Sequence, residues 1–311
     1  MKKIIAISFS ITLLYIATGC KNFLKDATEI QAVKDDAIIQ TYIKTQPRYN
    51  FVKFASGAYY AKAAEIPAGQ AINIGDQVTF YYKLYLLQGG LIDSVAESKK
   101  EAAVAIFNGS SQLTNIANMS NVSIFTPGLT EGVAFTKVGE RSITLIPSGW
   151  ALGTQPVGSL IPANSCLRAD VKVLSSKSEW IQVEEYLANY LKINPKLTVT
   201  KKTTDGLSLI RTAAGTGDSV KTGLSVTVNY TGYFLDGKSF DSGSFSFVPG
   251  LKIPETVGGF DKTVLSMKIG EKVRTVFPSA LGYGKTGRNA IKGYMPLVFD
   301  IEVVKQATSA N

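Results

Sequence analysis

The sequence predicts an α+β protein made of two homologous units, each an antiparallel sheet folded over one short helix and each led by an amphipathic helix. Three observations carry that reading. Residues Val226 to Asp241 alternate apolar and polar, reach an Asp-Gly turn at Asp236 and Gly237, and resume into Phe240 and Asp241, the pattern of a β-hairpin. The chain repeats itself: Tyr82 and Tyr230, like Asp93 and Asp241, stand 148 residues apart, while Gly128 and Gly259, Gly139 and Gly270, and Pro147 and Pro278 stand 131 apart. Strands, one short helix and further strands recur in each copy, and a sheet folded over one helix is the simplest way to bury them.

At 311 residues and 45% hydrophobic content the chain has material for two packed cores. Its first nineteen residues carry two lysines and an apolar run from Ile4 to Ala17, which reads as a secretory signal. The phrase Ala17-Thr18-Gly19-Cys20 resembles the lipobox of bacterial lipoproteins. That resemblance implies cleavage before Cys20, acylation of its thiol, and a protein anchored by lipid in the cell envelope, facing the periplasm or the exterior. Residues 20–34 then read as a polar tether.

Asp35 to Lys44 reads as an amphipathic helix that begins with acids, as the helix dipole favours. It opens the first unit, expected over 35–176. Because one pair of offsets is 148 and the other 131, this copy carries 17 more residues between Asp93 and Gly128 than its twin. The excess, near Ala96 to Pro127, is rich in Asn, Ser and Ala and is expected to form a lobe over the hollow. Glu179 to Lys192 leads the second unit, expected over 177–308, with Trp180, Val183, Leu187, Tyr190 and Leu191 near helical spacing. The second copy's own helix is expected from Gly259 to Lys268, with Phe260, Val264 and Met267 on one face and Gly270 as a left-handed cap. Strands Lys272 to Phe277 and Leu297 to Val304 complete the sheet.

Composition removes whole classes of chemistry. There is no histidine, so no Ser-His-Asp triad, Cys-His pair or imidazole-ligated zinc can form. Loss of the signal would leave Cys166 as the one unacylated thiol, which excludes an intramolecular disulfide. The formal charge of +9 falls to +7 without Lys2 and Lys3, a modest and dispersed excess that does not suggest nucleic acid in an exported protein. What remains is chemistry by carboxylate, phenol, amine, hydroxyl or shape, with no metal or cofactor called for.

Val228-Asn229-Tyr230-Thr231-Gly232 followed by Leu235-Asp236-Gly237-Lys238-Ser239-Phe240-Asp241-Ser242 resembles the FKBP family of peptidyl-prolyl isomerases. The likeness covers about 205–305 and, in degenerate form, about 56–174. It implies a half-open sheet around a short helix, with a hollow between them for a prolyl peptide. It also implies that Asp241, Tyr283 and Tyr230 do the catalytic work, and that Phe240, Phe245, Val257, Phe260, Ile291 and Phe299 line the hollow. The expected partners are unfolded or prolyl-containing polypeptides, the macrolide ligands of the family, and a membrane reached through the lipid. The second copy departs from the family at Ile291-Lys292-Gly293-Tyr294, where Ile-Pro-Pro is usual, so a softer flap is expected. In the first copy Ile92, Leu129 and Leu152 replace the aromatic wall, the floor and the flap phenol, so catalysis is expected in the second copy alone. The alternative is a noncatalytic lipoprotein that uses one or both hollows to hold partners in an envelope assembly.

Overall fold

A computed structural model of the chain describes residues 27–95, 97–99, 102–109, 113–115 and 125–307. The expected signal, Cys20 and residues 20–26 of the expected tether therefore lie outside the described residues, while 27–34, expected as tether, are helical. By internal contacts the chain divides into two compact units, one drawn from 1–71, 79–103 and 119–174, the other from 72–78, 104–118 and 175–311. Among the described residues no helix is long and apolar enough to cross a membrane.

The first part begins with helix α1, already helical at 27 and continuing to 44. Strands β1 (Val52–Lys53), β2 (Tyr59–Ala64), β3 (Gln77–Leu86), β4 (Leu91–Val95), β5 (Ala103–Phe107) and β6 (Leu113–Asn115) precede helix α2 (Pro127–Phe135). Strands β7 (Arg141–Ile146) and β8 (Leu167–Lys177) finish the sheet, ordered β1-β2-β7-β8-β3-β5-β6 with β4 also on β3. Within the 96–127 segment, β5, which reads Ala-Val-Ala-Ile-Phe, finds partners for its amides in β6, and much of the expected lobe lies outside the described residues.

The second part opens with helix α3 (Glu179–Ile193), N-capped by Ser178. Strands β9 (Val199–Lys202), β10 (Ser208–Ala213), β11 (Val226–Tyr233) and β12 (Ser239–Phe247) lead to helix α4 (Gly258–Val264). After β13 (Lys272–Phe277) come a small hairpin of β14 (Gly287–Arg288) and β15 (Ile291–Lys292), and then β16 (Leu297–Gln306). The six-stranded antiparallel sheet is ordered β12-β11-β16-β13-β10-β9, so the last strand enters at its centre.

Both faces of that sheet are covered. On one, Val226, Val228, Phe299, Ile301 and Val303 pack with Phe260, Val264 and Met267 of α4 and its exit. On the other, Val276, Val298 and Ile210 pack against Val183 and Leu187 of α3. The alternation in β16 explains this double burial, since Leu297, Phe299, Ile301 and Val303 point one way and Val298 the other. In the first part Ile39 of α1 likewise packs on Tyr59, Ile143 and Leu145.

Two helical expectations need correction. Helix α4 ends at Val264, capped by Leu265, and Gly270 (φ 80°) lies in the following turn, donating to the Val303 carbonyl. Its left-handed backbone serves the approach to β13 and does not cap the helix. Asp35 does not begin α1 either; it lies inside a longer helix, 1% exposed, and accepts from the N–H and hydroxyl of Ser148.

Candidate active site

Four pieces of the second part converge on one hollow of about 630 Å³, between the end of β11, the start of β12, the loop into α4, and the turn after β13. Its lining includes Tyr230, Phe240, Asp241, Phe245, Val257, Phe260, Tyr283 and Phe299, all of them expected from the sequence. Ile291 is the exception. It is 8% exposed and belongs to the packed core, so it lies behind the wall.

The wall is a network of edge-to-face rings. Phe260, on the first turn of α4, meets Tyr230 at 5.8 Å and 89°, and Phe299 at 5.4 Å and 85°. Tyr230 meets Phe245 at 5.4 Å and 88°, and Phe299 meets Phe240 at 5.5 Å and 87°. Such contacts set the positive edge of one ring on the negative face of another, which fixes orientation as well as position. Phe240 reaches the hollow because the β11–β12 register shifts between Gly232 and Tyr233. A Cβ at Gly232 would stand 2.5 Å from the Phe240 ring and 2.9 Å from that of Phe299, so glycine is what lets the two rings close.

Of the polar groups in the lining, Tyr230 and Asp241 form a hydrogen-bonded pair. Tyr230 Oη donates to Asp241 Oδ2 at 2.7 Å, and the Ser242 N–H donates to Asp241 Oδ1 at 2.9 Å, so both carboxylate oxygens are held. Burial, then the Asp241 carboxylate, push the Tyr230 phenol up to about 12. It therefore remains a donor at any physiological pH. Among the described residues nothing hydrogen-bonds the Tyr283 hydroxyl, whose residue lines the same hollow.

The structure adds Pro254, Glu255, Thr256, Gly258, Gly282 and Arg288 to the lining. Arg288 comes from the β14–β15 hairpin, where backbone approaches backbone closely. A Cβ on Gly293 would stand 1.9 Å from the Lys285 carbonyl oxygen, and one on Gly287 would stand 2.2 Å from that of Ile291. The signal for this was the density of glycine between 282 and 293, which marks close approach of backbone to backbone as readily as softness.

The first part keeps a fragment of the arrangement. Tyr82 donates to Asp93 Oδ2 at 2.5 Å, as Tyr230 does to Asp241, but its ring is 1% exposed and packs on Phe80 and Phe125. Leu129 is buried where Phe260 stands in the second copy, and Leu152 occupies the place of Tyr283.

Comparison with known proteins gives the family. The description of FKBP-type peptidyl-prolyl cis-trans isomerases matches residues 68–174 and 217–304, more than half of the chain. The peptidyl-prolyl cis-trans isomerase FKBP9 of Rattus norvegicus is 28% identical over 248 residues, 79% of this chain and 37% of that protein. This chain thus spans little more than a third of that relative's length. The FKBP-type isomerase FkpA of Aeromonas hydrophila is 27% identical over 246 residues, 78% of this chain and 81% of that protein. Among solved structures, FkpA from Escherichia coli is similar with a TM-score of 0.34 at 28% identity, covering 42% of this chain and 64% of that one.

Proposed function

Because the chain belongs to the FKBP-type peptidyl-prolyl cis-trans isomerase family, we propose that its second domain isomerises prolyl bonds in unfolded polypeptides by holding the twisted amide without covalent chemistry. The observation that carries this is the hollow itself: eight of the nine residues expected around a prolyl ring line one space, with a fixed carboxylate and an unengaged phenol among them.

Rotation about an amide is slow because its resonance must be broken, a barrier of roughly 18–20 kcal/mol. For prolyl bonds the unassisted half-turn takes tens of seconds or more. A twisted amide has lost resonance and is less polar than the planar form, so a dry aromatic enclosure favours it over the ground state. Phe260 forms the floor, with Phe299, Phe240 and Tyr230 around it. Tyr283 donates its phenol to the substrate carbonyl, and Asp241 supplies a fixed polar edge past which the carbonyl swings. Each tenfold gain in rate requires only about 1.4 kcal/mol of preference for the twisted form.

The test is a prolyl-peptide isomerisation assay on the full chain. Turnover above buffer, reduced about tenfold or more in Tyr283→Phe, is expected. A rate equal to buffer, with a prolyl peptide or a macrolide ligand of the family still bound, would instead favour the noncatalytic holding role.

The setting we propose is the cell envelope, with Cys20 acylated and the clients exported chains still folding. The phrase Ala17-Thr18-Gly19-Cys20 supports this. Cys20→Ser should move the protein from the membrane to the soluble fraction and remove incorporation of labelled fatty acid. Continued labelling in that variant would exclude Cys20 as the anchor.

A further inference from the structure

Each copy contains a bracket that the chemistry above does not use. In the second, Glu179 at the start of α3 accepts the Ser279 N–H through Oε2 at 2.5 Å and the Ser279 hydroxyl through Oε1 at 2.8 Å. The Ser279 carbonyl in turn accepts from the N–H groups of Gly282 and Gly284, both at 2.8 Å. Those two glycines flank Tyr283. The neighbours of the flap phenol therefore hang from one carbonyl, and the residue that owns it is pinned by one carboxylate.

Physical necessity supports the arrangement. Ser279 opens a single 3-10 turn (Ser279–Leu281) whose preceding residue is Pro278, with no side-chain cap of its own. Ser279 is 4% exposed, so without Glu179 its N–H and hydroxyl would be buried donors with nothing to receive them. The turn would have to shift to find acceptors, and Tyr283 would move with it.

The first copy shows that the bracket is separate from the phenol. There Asp35 accepts the Ser148 N–H at 2.8 Å and the Ser148 hydroxyl at 2.7 Å, both on Oδ2. The Ser148 carbonyl accepts from Ala151 at 3.0 Å and Gly153 at 2.8 Å, on either side of Leu152. The acid is one methylene shorter and comes from the middle of α1, yet it grips the same two donors. One frame presents leucine in one copy and tyrosine in the other.

We propose that Glu179 is a positioning residue for isomerisation, acting through Ser279 to hold Tyr283 over the hollow. The proposal rests on the catalytic reading of Tyr283 given above. It ties the helix ahead of the domain to the geometry of the flap. A misplacement of about 1 Å can cost up to roughly a hundredfold in rate, so a partial release is expected to cost about tenfold.

Two measurements on the full chain test it. In a double-mutant cycle, Glu179→Ala should lower kcat/KM about tenfold, Glu179→Asp should recover most of the loss, and Glu179→Ala with Tyr283→Phe should be no worse than Tyr283→Phe alone. Independent, multiplying losses would overturn the proposal, because they would mean that Glu179 acts elsewhere. The second readout does not require turnover. In protein labelled with 3-fluorotyrosine, the resonance missing from Tyr283→Phe identifies that ring; it should move or broaden in Glu179→Ala and return in Glu179→Asp. An unchanged resonance overturns the bracket. Wild-type turnover in Tyr283→Phe would end the catalytic reading of the phenol, and the fluorine signal would still decide what Glu179 holds. Should Glu179→Ala not fold, Glu179→Gln keeps the volume, exchanges one acceptor for a donor, and is expected to show the same displacement.

Discussion

At the scale of single residues, the pair Tyr230 and Asp241 joins stability to the site. Its hydrogen bond exists only while the phenol holds its proton, and burial with the neighbouring carboxylate raises that pKa from 10.0 to about 12. The sign follows: a raised folded-state pKa contributes stability that is whole below the unfolded value of 10.0 and is lost as pH climbs through about 12. Ultraviolet titration of tyrosinate in wild type and Tyr230→Phe should therefore differ by one step near pH 12. A missing step near pH 10 would mean that the phenol is not engaged. Phe260 poses a different question, since Leu129 fills the same place in the first copy and is fully buried there. Phe260→Leu should cost only about 1–2 kcal/mol of stability in urea, yet it would remove the ring that Tyr230, Phe245 and Phe299 lean on. Turnover should fall well beyond what that loss of stability explains.

At the scale of elements, the flap hairpin is held by backbone approach. Gly293 has an ordinary φ, so alanine there would not be strained by its dihedral; it would collide with the Lys285 carbonyl. Gly293→Ala should open β14–β15 to proteolysis between 284 and 294 and weaken binding of prolyl peptide, with the thermal transition of the domain nearly unchanged. Uncut flap and normal binding would show that the two backbones part without cost. The same element marks where the sequence was legible. Strand β11 and most of α3 followed from alternation and helical spacing, and the repeat was readable because Gly128 and Gly259 each sit where a Cβ would strike the following strand, at Ile146 and Phe277. The end of α4 was not readable: Met267 continues the apolar spacing after the helix has ended, because the turn buries it in the same core. Ile291 was placed in the wall by resemblance, and the closure of the hairpin turns it inward. The bonds from Ser279 to Glu179 and from Ser148 to Asp35 join residues about a hundred positions apart, which no local pattern reveals.

At the scale of the whole molecule, one plan recurs in two copies that differ in the side chains set on a shared frame. Both copies keep a tyrosine bonded to an aspartate, a leading helix whose acid holds a serine, and an arginine on the sheet paired to an aspartate and to a tyrosine of that helix. Asp170 and Asp300 occupy matching places, but Arg168 reaches the first from β8 itself while Arg274 reaches the second from β13, and each also meets a helix tyrosine, Tyr42 or Tyr186. The clamp is built in both copies although its cation comes from a different strand in each. The hollow has followed another course, being open and aromatic in the second copy, whereas Tyr82 is packed under Phe80 and Phe125 in the first. The same substitution in the two copies should therefore separate structure from catalysis. Tyr82→Phe removes a part-buried hydrogen bond and should cost about 1–2 kcal/mol, seen as a lowered thermal stability, with prolyl turnover of the full chain unchanged. Tyr230→Phe leaves Asp241 Oδ2 without its phenol donor, and turnover should drop. If Tyr82→Phe reduced turnover as much as Tyr230→Phe, both hollows would have to be working, and the assignment of catalysis to the second would be lost.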